Sequence, residues 1–550
     1  MPQDIYDKII TMAKRRGFIY PSFEIYGGIA GFYDYGPLGA QLKLNIENLW
    51  RRYFVLTDNC VEITTPTITL FEVLKASGHV EEFTDLTVDC PKCKRSFKVE
   101  DIIGTTPIDE ALTEHMIKCL SCGTILTNPH PVNLMFSTTI GIGDGRPAFL
   151  RPETAQGIFT NFHLLYRYHR ERLPFGVVQI GKGYRNEISP RQGTLRQREF
   201  SMAEAEIFID PQHKTHPNYH SAINTPLILN DNETEHHVTV DQAVKQKIIK
   251  SEALAYYLHL TARFLLAAGV DPKKFRFRKH GCDELAHYAA ECWDAELYSE
   301  RFGWIECVGI ADRSAYDLNA HVTASGVDMY AVRKYPEPKI EKHRKITPKM
   351  DVFGPLFKKD AGKIKAILDT MEAPTKGPVT VTIDGNTITI PDNAYDITEV
   401  EEKTMGEKFI PNVIEPSFGI DRVLYFLIEH NYKEIAKKDE EYTILSLPTV
   451  IAPITTGVFP LTDDEHLVKL AEKLNTDLRA ACIHTYYDTT GTIGRRYARM
   501  DEIGTPFCIT IDHESLTDHK ATIRDRDTTE QQRVPIKDIA TLLGQKVACT

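Results

Sequence analysis

The sequence predicts an α/β protein in which a large part of the α+β type is followed by a smaller α/β domain. Residues 175–180 and 199–209 are typical of strands, and we expect them to pair antiparallel because a loop without a crossover helix joins them. From about residue 441, strand-like and helix-like runs alternate, which predicts a separate small α/β domain. A chain of 550 residues is also too long for one hydrophobic core.

Apolar periodicity predicts the individual elements. Leu42, Ile46 and Leu49 recur at helical spacing, which indicates a helix over residues 37–53, and a β-rich run after it ends at Pro66. Residues 251–268 and 423–428 are typical of helices with a buried side. In the last part of the chain, strands are expected at residues 442–447, 450–454, 483–487, 507–511 and 521–524, with helices at 467–478, at 494–500 and after Pro535.

The composition is that of an ordinary globular protein. Hydrophobic residues make up 42% and charged residues 26% of the chain, and the net charge is −11. This charge disfavours bulk attraction to nucleic acids but allows a local basic surface, because charges are screened over roughly 8–10 Å. No apolar run is long enough to cross a bilayer, and the first residues, MPQDI, do not resemble a secretory signal. A cytoplasmic location is therefore expected.

Four of the eleven cysteines form two C-x-x-C pairs, Cys90 with Cys93 and Cys119 with Cys122. Each pair can present two thiolates to one ion, and four thiolates complete the tetrahedral shell of a structural zinc. A redox role or unrelated cysteines are the alternative, although a redox pair would need only one copy. The odd total and the scattered positions of the other cysteines argue against a disulfide framework.

Two arginines far apart in the chain are candidates for binding a polyphosphate. Arg185 lies in the run YRNE at residues 184–187, and Arg422 lies in FGIDR at residues 418–422. An arginine can grip a phosphate with two parallel hydrogen bonds, and Phe200 offers a ring on which a nucleobase can stack. Together they predict a site for ATP in a bent conformation. For any single arginine, the alternative is a surface ion pair.

These residues belong to longer runs that resemble a known family. The helix and strand ending at Pro66 resemble motif 1 of the class II aminoacyl-tRNA synthetases, residues 184–206 resemble motif 2, and residues 416–426 resemble motif 3. Within that class, the chain is similar to the glycine-specific enzymes of the archaeal and eukaryotic homodimeric type. The supporting runs, spread over residues 5–539, are SGH at 77–79, RPETAQG at 151–157, FSMAE at 200–204, DELAHYA at 283–289, EPS at 415–417 and RDRD at 524–527.

Two positions depart from the wider class. Ser417 stands where motif 3 often begins with glycine, although the glycine-specific enzymes resemble this chain there. Tyr184 replaces the phenylalanine that is common before the motif 2 arginine. The added hydroxyl leaves the expected phosphate grip of Arg185 intact.

The resemblance implies a division into domains. A catalytic core with the antiparallel sheet and helices of class II is expected over residues 1–80 and 130–210, with motifs 1 and 2, and over 301–320 and 409–440, with motif 3. Insertions are expected at 81–129 (a zinc ribbon), 211–300 (helical) and 321–408, followed by an α/β anticodon-binding domain at 441–550. The insertion at 321–408 carries a basic run at residues 333–345, which is either a solvated face or a contact for nucleic-acid phosphates, and a hairpin candidate at Asp384-Gly385.

The resemblance also implies the reaction of a ligase that joins glycine to the 3′ end of tRNA(Gly). Glycine attacks the α-phosphorus of ATP to give glycyl-adenylate and pyrophosphate, and the glycyl group then passes to tRNA. Since the attacking carboxylate is already ionised, catalysis is expected from positioning and from charge neutralisation. Arg185 and Arg422 are the expected catalytic residues, on the α- and γ-phosphates respectively.

Further ATP contacts are implied by the motifs. Glu187 and Phe200 are expected to hold adenine, and Arg196 or Arg198 the outer phosphates. Glu306 is the expected ligand of a magnesium ion, which prefers one or two carboxylates with phosphate oxygens. The full set of expected ATP-binding residues is Arg185, Asn186, Glu187, Leu195, Arg196, Gln197, Arg198, Glu199, Phe200, Glu306, Cys307 and Arg422.

Glycine recognition is expected to use an acidic cage. Glu153, Glu204 and Glu415 resemble the family's carboxylates around the substrate ammonium, and three such groups repel one another unless a cation binds. Arg313 is expected near the substrate carboxylate, and walls that exclude larger side chains make an editing domain unnecessary. The full expected set is Glu153, Phe200, Ser201, Met202, Ala203, Glu204, Arg313, Glu415, Pro416 and Ser417.

The C-terminal domain is expected to read the anticodon. Arginines beside aromatic rings can bind RNA phosphates and unpaired bases, and for each arginine a solvated charged face is the alternative. The candidates are Arg495, Arg496, Arg499, Arg524 and Arg526. The resemblance further implies a homodimer, and no membrane partner is expected.

Two competing hypotheses remain open. One is a synthetase for threonine, proline or histidine, which share the C-terminal domain type, although the three cage glutamates favour glycine. The other is a non-catalytic nucleic-acid-binding relative, like the accessory subunit of the mitochondrial DNA polymerase. Such proteins lose the ATP-gripping arginines, whereas this chain has Arg185 and Arg422.

Overall fold

The computed structural model describes residues 4–104, 106, 108–113, 117–188, 190, 193–231, 234–281, 284–286, 288–371, 373, 378–383, 386–437 and 440–548. The chain divides into two compact units, Met1–Met329 with Pro411–Thr550, and Tyr330–Ile410. The second unit takes up most of the insertion expected at 321–408, whose first residues belong to the first unit. Within the described ranges, no helix is both long and apolar enough to cross a membrane.

The first elements are α1 (Ile5–Arg16), β1 (Ile19–Pro21), β2 (Tyr33–Tyr35), α2 (Pro37–Arg51), β3 (Val61–Glu62), β4 (Ile68–Leu70), α3 (Phe71–Ala76) and α4 (His79–Glu82). Pro37 suits the first turn of α2 because that position needs no amide hydrogen. The helix buries Leu42, Ile46 and Leu49 and continues as a π-helical turn, Arg52–Thr57. The helix predicted over residues 37–53 is thus confirmed.

The paired cysteines lie in a small module formed by β5 (Thr84–Asp89), β6 (Ser96–Lys98), α5 (Glu100–Ile103), α6 (Ile108–Thr113) and β7 (His130–Asn133). Its strands pair in the order β6-β5-β7. Val88, Phe97 and Leu126 are buried in a core of its own. The two ends of this cysteine module meet, because the Leu134 amide donates to the Phe83 carbonyl at 3.1 Å.

The next elements are β8 (Ser137–Ile140), β9 (Arg146–Leu150), α7 (Ala155–Phe159), α8 (Phe162–Tyr168), β10 (Phe175–Tyr184) and β11 (Glu199–Ile209). Strands β10 and β11 pair antiparallel, as predicted, from Phe175 opposite Phe208 to Tyr184 opposite Glu199. This register brings the residues that follow β10 close to those that precede β11.

The expectation of a helical insertion over residues 211–300 is wrong. The segment contains α9 (Tyr219–Ala222), β12 (Pro226–Asp231), β13 (Thr234–Thr239), α10 (Val240–Lys245), α11 (Glu252–Ala268), β14 (Phe275–Lys279) and β15 (Glu291–Ser299). Its strands extend the main sheet, and β16 (Gly303–Ser314) and α12 (Tyr316–Ser325) follow. Short, polar strands such as β13 show little apolar alternation, so the long apolar α11 dominates the pattern.

The second unit contains β17 (Ala331–Pro348), α13 (Met350–Phe357), α14 (Ala361–Thr370), β18 (Thr380–Ile383), β19 (Asn386–Thr389) and β20 (Tyr395–Phe409). β18 and β19 pair antiparallel, whereas the turn residues 384 and 385 lie outside the described residues. The basic run lies on β17, opposite acidic residues of β20. Arg333 contacts Glu407 at 2.9 Å, and Lys342 contacts Glu401 at 3.3 Å. These cross-strand pairs favour a solvated, ion-paired face over a contact for phosphates.

The main sheet is completed by β21 (Asn412–Gly419), which leads into α15 (Ile420–Asn431). Its strand order is β13-β12-β14-β15-β16-β21-β11-β10-β3. The pairs are antiparallel except β12 with β14 and β10 with β3. Trp50 of α2 and Phe264 of α11 pack edge-on against Phe418 of β21, so the core lies between these helices and the sheet. The predicted antiparallel sheet with helices is confirmed.

The C-terminal elements are β22 (Tyr432–Lys437), β23 (Glu440–Leu445), β24 (Thr456–Pro460), α16 (Glu465–Ala480), β25 (Thr485–Tyr487), α17 (Ile493–Glu502), β26 (Phe507–Ile511), α18 (Ser515–Asp518), β27 (Lys520–Asp525), β28 (Gln531–Pro535) and α19 (Ile539–Ala548). A sheet in the order β25-β24-β26-β27-β28 confirms the small α/β domain. The strand predicted at 450–454 is wrong. Pro453 cannot donate to a sheet, and Asn45 of α2 donates to the Ile451 and Ala452 carbonyls instead.

Candidate active site

Three neighbouring strands of the main sheet line one cavity of about 290 Å³. Side chains two residues apart on a strand lie on the same face of a sheet, and the register places Glu204 of β11 opposite Ser417 of β21, and Glu415 of β21 opposite Ala311 of β16. The cavity therefore receives Phe200, Met202 and Glu204 from β11, Glu415, Ser417 and Gly419 from β21, and Cys307, Gly309 and Ala311 from β16.

The cavity brings together most of the residues predicted from the sequence. Those that line it are Glu153, Arg185, Glu187, Leu195, Arg196, Gln197, Phe200, Ser201, Met202, Glu204, Glu306, Cys307, Glu415, Ser417 and Arg422. The predicted residues outside its lining are Asn186, Arg198, Glu199, Ala203, Arg313 and Pro416. Strand alternation explains why Ala203 and Pro416 lie outside the lining: the residues on either side of each one face the cavity.

The Arg185 guanidinium lies between two phenylalanine rings. Its central carbon is 5.2 Å from the centre of the Phe83 ring and 5.3 Å from that of Phe200. Its Nε donates to the Pro152 carbonyl at 3.5 Å. Stacking on aromatic faces orients the guanidinium plane without using its N–H donors. Arg185 is therefore oriented at the cavity wall with donors left for an anion.

Arg422 is held mainly by backbone carbonyls. Its Nε donates to the Leu195 carbonyl at 3.0 Å, and its Nη1 donates to the Glu306 carbonyl at 2.7 Å. The Glu306 carboxylate is 3.6 Å away, and 35% of the Arg422 side chain is exposed. Carbonyls orient the guanidinium without cancelling its charge, so Arg422 can attract an anion in the cavity.

The predicted acidic cage forms, with Glu153, Glu204 and Glu415 all buried. Glu204 accepts hydrogen bonds from the Thr154 amide at 2.6 Å and from the Ser417 hydroxyl at 2.8 Å. These bonds hold the carboxylate in one orientation at the cavity wall. The cage thus presents fixed negative charge away from bulk water.

The environment of the cage changes the proton affinities of its acids. Burial, followed by repulsion from Glu153, raises the pKa of Glu204. Burial raises the pKa of Glu415 to about 7, against the opposing effect of Arg313. Burial by itself raises the pKa of Glu153 as well, but His79 and Arg313 bring that pKa below its usual range. A bound cation relieves the repulsion among the acids, so the arrangement suits an ammonium group.

Glu206 is a buried acid that the sequence reasoning missed. It lies two residues beyond Glu204 on β11, and neither of its carboxylate oxygens has a hydrogen-bond partner within the described part of the chain. Burial, followed by repulsion from Glu415, raises the pKa of Glu206 well above its usual value. Burial therefore favours the protonated form of this acid. The strand alternation from Glu204 to Glu206 could have indicated it.

The structure contradicts the expectation that Arg313 lies near a substrate carboxylate. The side chain is 1% exposed. Its Nε and Nη2 donate to Asp317 at 2.8 and 2.9 Å, and its Nη1 donates to Glu415 at 2.9 Å. The Tyr288 ring covers the guanidinium at 3.8 Å. Because its donors are occupied by buried carboxylates, Arg313 holds the cage acid Glu415 instead.

Arg196 and Arg198 differ in position. Arg196 lines the cavity, and its Nη1 is 3.7 Å from Asp101. Arg198 lies outside the lining and donates to the Ala30 and Glu187 carbonyls at 2.8 and 2.9 Å. Of the two alternatives for the outer phosphates, the geometry favours Arg196.

The sequence reasoning also missed other residues that line the cavity. They are Thr194, His280, Ala286, Tyr288, Ala289, Cys292, Asp294, Gly309, Ala311, Gly419 and Asp421. Three of them belong to the DELAHYA run, and that run was the signal that could have found them. Its residues 283 and 287 lie outside the described residues.

Three of these lining residues, His280, Cys292 and Asp294, have possible metal-ligand atoms within 4.8 Å of one another. The Asp294 carboxylate already accepts hydrogen bonds from His280 at 2.8 Å and from Arg278 at 3.1 Å. Arg278 thus already supplies the positive charge that a metal ion would bring to Asp294.

The four predicted metal-ligating cysteines converge. The Cys90 and Cys122 sulfurs are 3.5 Å apart, as are those of Cys93 and Cys119, and all four lie within 4.8 Å of one another. Tetrahedral bonds of about 2.3 Å to zinc separate sulfurs by about 3.8 Å. The donor set and its spacing therefore fit a structural zinc.

The structure contradicts the expected RNA contact for three of the five C-terminal arginines. Arg496 and Arg526 are 2% exposed and Arg524 is 8% exposed. Arg524 makes two hydrogen bonds to Asp501, at 2.8 and 2.9 Å, and the other two donate to backbone carbonyls. Their donors stabilise the domain and are not presented to a partner.

The other two C-terminal arginines are accessible. Arg495 is exposed. Arg499 is partly exposed and forms an ion pair with Asp488. Both belong to α17, so an RNA contact at this helix stays a prediction.

Comparison with family models assigns both parts of the chain. Residues 142–431 match the tRNA synthetase class II core domain (G, H, P, S and T), and residues 449–546 match the anticodon binding domain. A solved structure, Giardia lamblia prolyl-tRNA synthetase in complex with prolyl-adenylate, has a TM-score of 0.55 and 13% identity, covering 99% of this chain and 80% of that one. This likeness shows a shared fold.

Similar sequences extend over the whole chain. The glycine–tRNA ligase of Methanothrix thermoacetophila is 47% identical, over 96% of this chain and 95% of the relative. That of Methanocaldococcus jannaschii is 45% identical over 100% of both chains. That of Archaeoglobus fulgidus is 45% identical, over 98% of this chain and 96% of the relative.

Proposed function

The chain belongs to the glycine–tRNA ligases of the class II synthetases, and we propose that its cavity activates glycine with ATP and passes the glycyl group to the 3′ end of tRNA(Gly). One observation carries the proposal: a buried acidic cage and two oriented arginines, Arg185 and Arg422, line the same cavity. Carboxylates suit the ammonium of an amino acid, whereas guanidinium groups suit a polyphosphate.

In the first step, a glycine carboxylate oxygen attacks the α-phosphorus of ATP. A bond forms between these atoms, the bond to the bridging oxygen breaks, and pyrophosphate leaves with its electron pair. Arg185 neutralises charge on the α-phosphate, and Arg422, with Arg196 beside it, neutralises charge on the outer phosphates. Because the attacking carboxylate is already ionised, positioning and charge stabilisation supply the catalysis.

The adenine and magnesium contacts belong to the same end of the cavity. Phe200 offers its ring to the base, and Glu187 offers its carboxylate to the exocyclic amine. Glu306 lines the cavity beside Arg422 and has a half-exposed carboxylate. One carboxylate together with phosphate oxygens is a donor set that magnesium favours, so Glu306 would hold the ion that neutralises ATP.

Selection of glycine requires walls beside the cage that exclude a side chain. Glu153 and Glu204 accept hydrogen bonds from the ammonium, with Ser417 beside them, while Arg313 fixes Glu415 from behind. Any larger amino acid must displace packed groups. Rejection by overlap is stronger than the roughly 1–3 kcal/mol that a pocket gains from one methylene.

The cysteine module would hold a structural zinc at Cys90, Cys93, Cys119 and Cys122. Such an ion supplies a cross-link between the two C-x-x-C turns and contributes to folding of the module. In the C-terminal domain, the accessible Arg495 and Arg499 would contact tRNA.

We infer a homodimer from surface that a single chain leaves exposed. Phe23, Ile25, Tyr26 and Ile29 are between 52% and 90% exposed and lie close together in sequence. Contiguous exposed apolar surface marks interaction sites, and closed two-fold dimers are the commonest assemblies. A mass in solution equal to that of one chain would contradict this inference. A cytoplasmic location follows from the role in protein synthesis.

The proposed function is tested by ATP–pyrophosphate exchange, without tRNA, across glycine, alanine, threonine, proline and histidine. Glycine should support exchange at least about a hundredfold better than alanine, which adds one methyl group. Exchange that is best with threonine, proline or histidine would assign the chain to another amino acid. Exchange with none of the five would favour a non-catalytic nucleic-acid-binding role.

A further inference from the structure

One short segment contacts both substrate-binding parts of the cavity. Residues 77–83, here called the root segment, run from the end of α3 through α4 to the start of the cysteine module. The His79 imidazole lies 3.4 Å from the Glu153 carboxylate, and the Phe83 ring covers the Arg185 guanidinium at 5.2 Å. The root segment therefore adjoins the acidic cage at one residue and the phosphate grip at another.

His79 is held in place independently of the cage. Its Nδ1 is 2.8 Å from the Ser77 hydroxyl, which also lies 3.2 Å from the Leu74 carbonyl. Asn133 donates to the His79 carbonyl at 3.1 Å. The imidazole is buried, so its ring is oriented before any substrate arrives.

The surroundings of the ring decide which nitrogen carries a proton. The Ser77 hydroxyl lies within hydrogen-bonding distance of both Nδ1 and the Leu74 carbonyl, to which it donates. The ionised Glu153 carboxylate has no hydrogen to donate. If Nε2 carried no hydrogen, its lone pair would face the carboxylate oxygen and the two would repel each other. A hydrogen on Nε2 makes the 3.4 Å contact with the Glu153 carboxylate favourable.

Glu153 keeps acceptor capacity after this contact. Its Oε1 accepts from Gln156 at 2.9 Å, and its Oε2 faces His79. Each carboxylate oxygen has two lone pairs, so one on each oxygen is left for an ammonium. Gln156 and His79 orient the carboxylate plane but do not use all of its acceptor capacity.

We propose that His79 is a positioning residue for glycine activation, donating from Nε2 to Glu153 so that this carboxylate is ionised and directed at the glycine ammonium. Phe83 performs the parallel role for Arg185 by orienting the guanidinium toward ATP. This role rests on the proposed function, because His79 and Phe83 would act only by orienting Glu153 for glycine and Arg185 for ATP.

The test is steady-state ATP–pyrophosphate exchange, without tRNA, on full-length variants. His79→Ala should raise the KM for glycine about ten- to a hundredfold, as expected for loss of a hydrogen bond to a charged group. The KM for ATP should stay within about threefold, since uniform loss of ATP binding is not involved. Phe83→Leu should show the opposite pattern, with a raised KM for ATP and a nearly unchanged KM for glycine.

Two variants with side-chain amides, His79→Gln and His79→Asn, distinguish a positioning hydrogen bond from a loss of packing. In His79→Gln the side-chain amide nitrogen lies near the former Nε2, so this variant should recover most of the glycine affinity. His79→Asn places its amide near the former Nδ1 and should resemble His79→Ala. If His79→Ala fails to fold, the comparison of the two amides, with thermal unfolding as a control, still decides.

Three outcomes would overturn the positioning role: a glycine KM within twofold of the unsubstituted protein in His79→Ala, an equal rise in both KM values, or no difference between the Gln and Asn variants. These outcomes are distinct from failure of the proposed function, in which the unsubstituted protein shows no exchange with glycine.

Discussion

Arg422 in the cavity and Arg524 in the C-terminal domain both lie in runs that resemble family motifs, yet their surroundings differ. Arg422 is held by two carbonyls and is 35% exposed. Arg524 is 8% exposed and makes both of its side-chain hydrogen bonds to the buried Asp501. The contrast indicates that an arginine available to a ligand is partly exposed and oriented mainly by carbonyls, whereas Arg524 is buried and its charge is compensated by one buried carboxylate.

Arg313 shows that position alone does not decide between these roles. It lies directly behind the acidic cage, but Asp317 and Glu415 take up its donors. It therefore resembles Arg524 more than Arg422. Exposure and the partner set, and not proximity to the site, distinguish the two kinds of arginine.

The largest expected effect is on stability. Arg524→Met should destabilise the C-terminal domain by about 3–5 kcal/mol, because it leaves the Asp501 carboxylate buried without its cation. Urea unfolding followed by circular dichroism measures this change. Arg495→Met, on the same domain but exposed, is the matched control and should unfold like the unsubstituted protein. Normal unfolding of Arg524→Met with a loss of tRNA binding would break the comparison.

The next effect is on chemistry. Arg185→Ala should lower kcat/KM for ATP–pyrophosphate exchange about a hundred- to a thousandfold, the usual loss when one oriented donor to transition-state charge is removed. Arg198→Ala changes an arginine of the same motif that lies outside the cavity lining, and its loss should be much smaller. Equal losses in the two variants would show that the cavity does not distinguish these arginines.

A third prediction concerns the buried acid Glu415, whose charge is opposite to that of the arginines. Because burial raises the pKa of Glu415 to about 7, the cage loses negative charge as the pH falls through 7. The KM for glycine should then rise by up to about tenfold per pH unit between pH 7 and 6, with little change in the KM for ATP. Exchange assays from pH 6 to 8 measure the profile, and Glu415→Gln should flatten it. A pH-independent KM for glycine would refute the assignment.

The same shift has a consequence for stability with a definite sign. The pKa of Glu415 in the folded state lies above its ordinary value of 4.5. The folded state therefore binds this proton more tightly than the unfolded state does. The resulting stabilisation is fully present below pH 4.5 and is lost as the pH rises through about 7.

The smallest expected effect is on tRNA binding. Arg495→Ala should weaken binding of tRNA(Gly) only a few-fold and should lower the slope of log affinity against log salt by about 1, as for one lost phosphate contact. Filter binding at several salt concentrations measures both quantities. Exchange activity and unfolding should not change. An unaltered slope would remove Arg495 from the RNA contacts.

Sequence reasoning found the parts of the site that depend on local pattern. The resemblance to the family's motifs implied Glu204, Glu415 and Ser417, and strand alternation agrees with the cavity-facing side that all three occupy. The burial of Arg524 depends on Asp501, which lies on a different element, and no local pattern reports that pairing. The strands within residues 211–300 were missed for a similar reason, since their places in the main sheet depend on pairing with other strands and not on a local apolar alternation.

The two ends of the cysteine module join the rest of the first unit at one place, where the Leu134 amide donates to the Phe83 carbonyl at 3.1 Å. The module is therefore a side branch of the chain, because the residue before it, Phe83, and the residue after it, Leu134, are already hydrogen-bonded to each other. A turn of a few residues could bridge the cut ends, and the Asn186 amide would still reach the Leu134 carbonyl, at 2.7 Å in the intact protein. The branch can therefore be inserted or deleted at one point of the chain without rebuilding the strands that line the cavity.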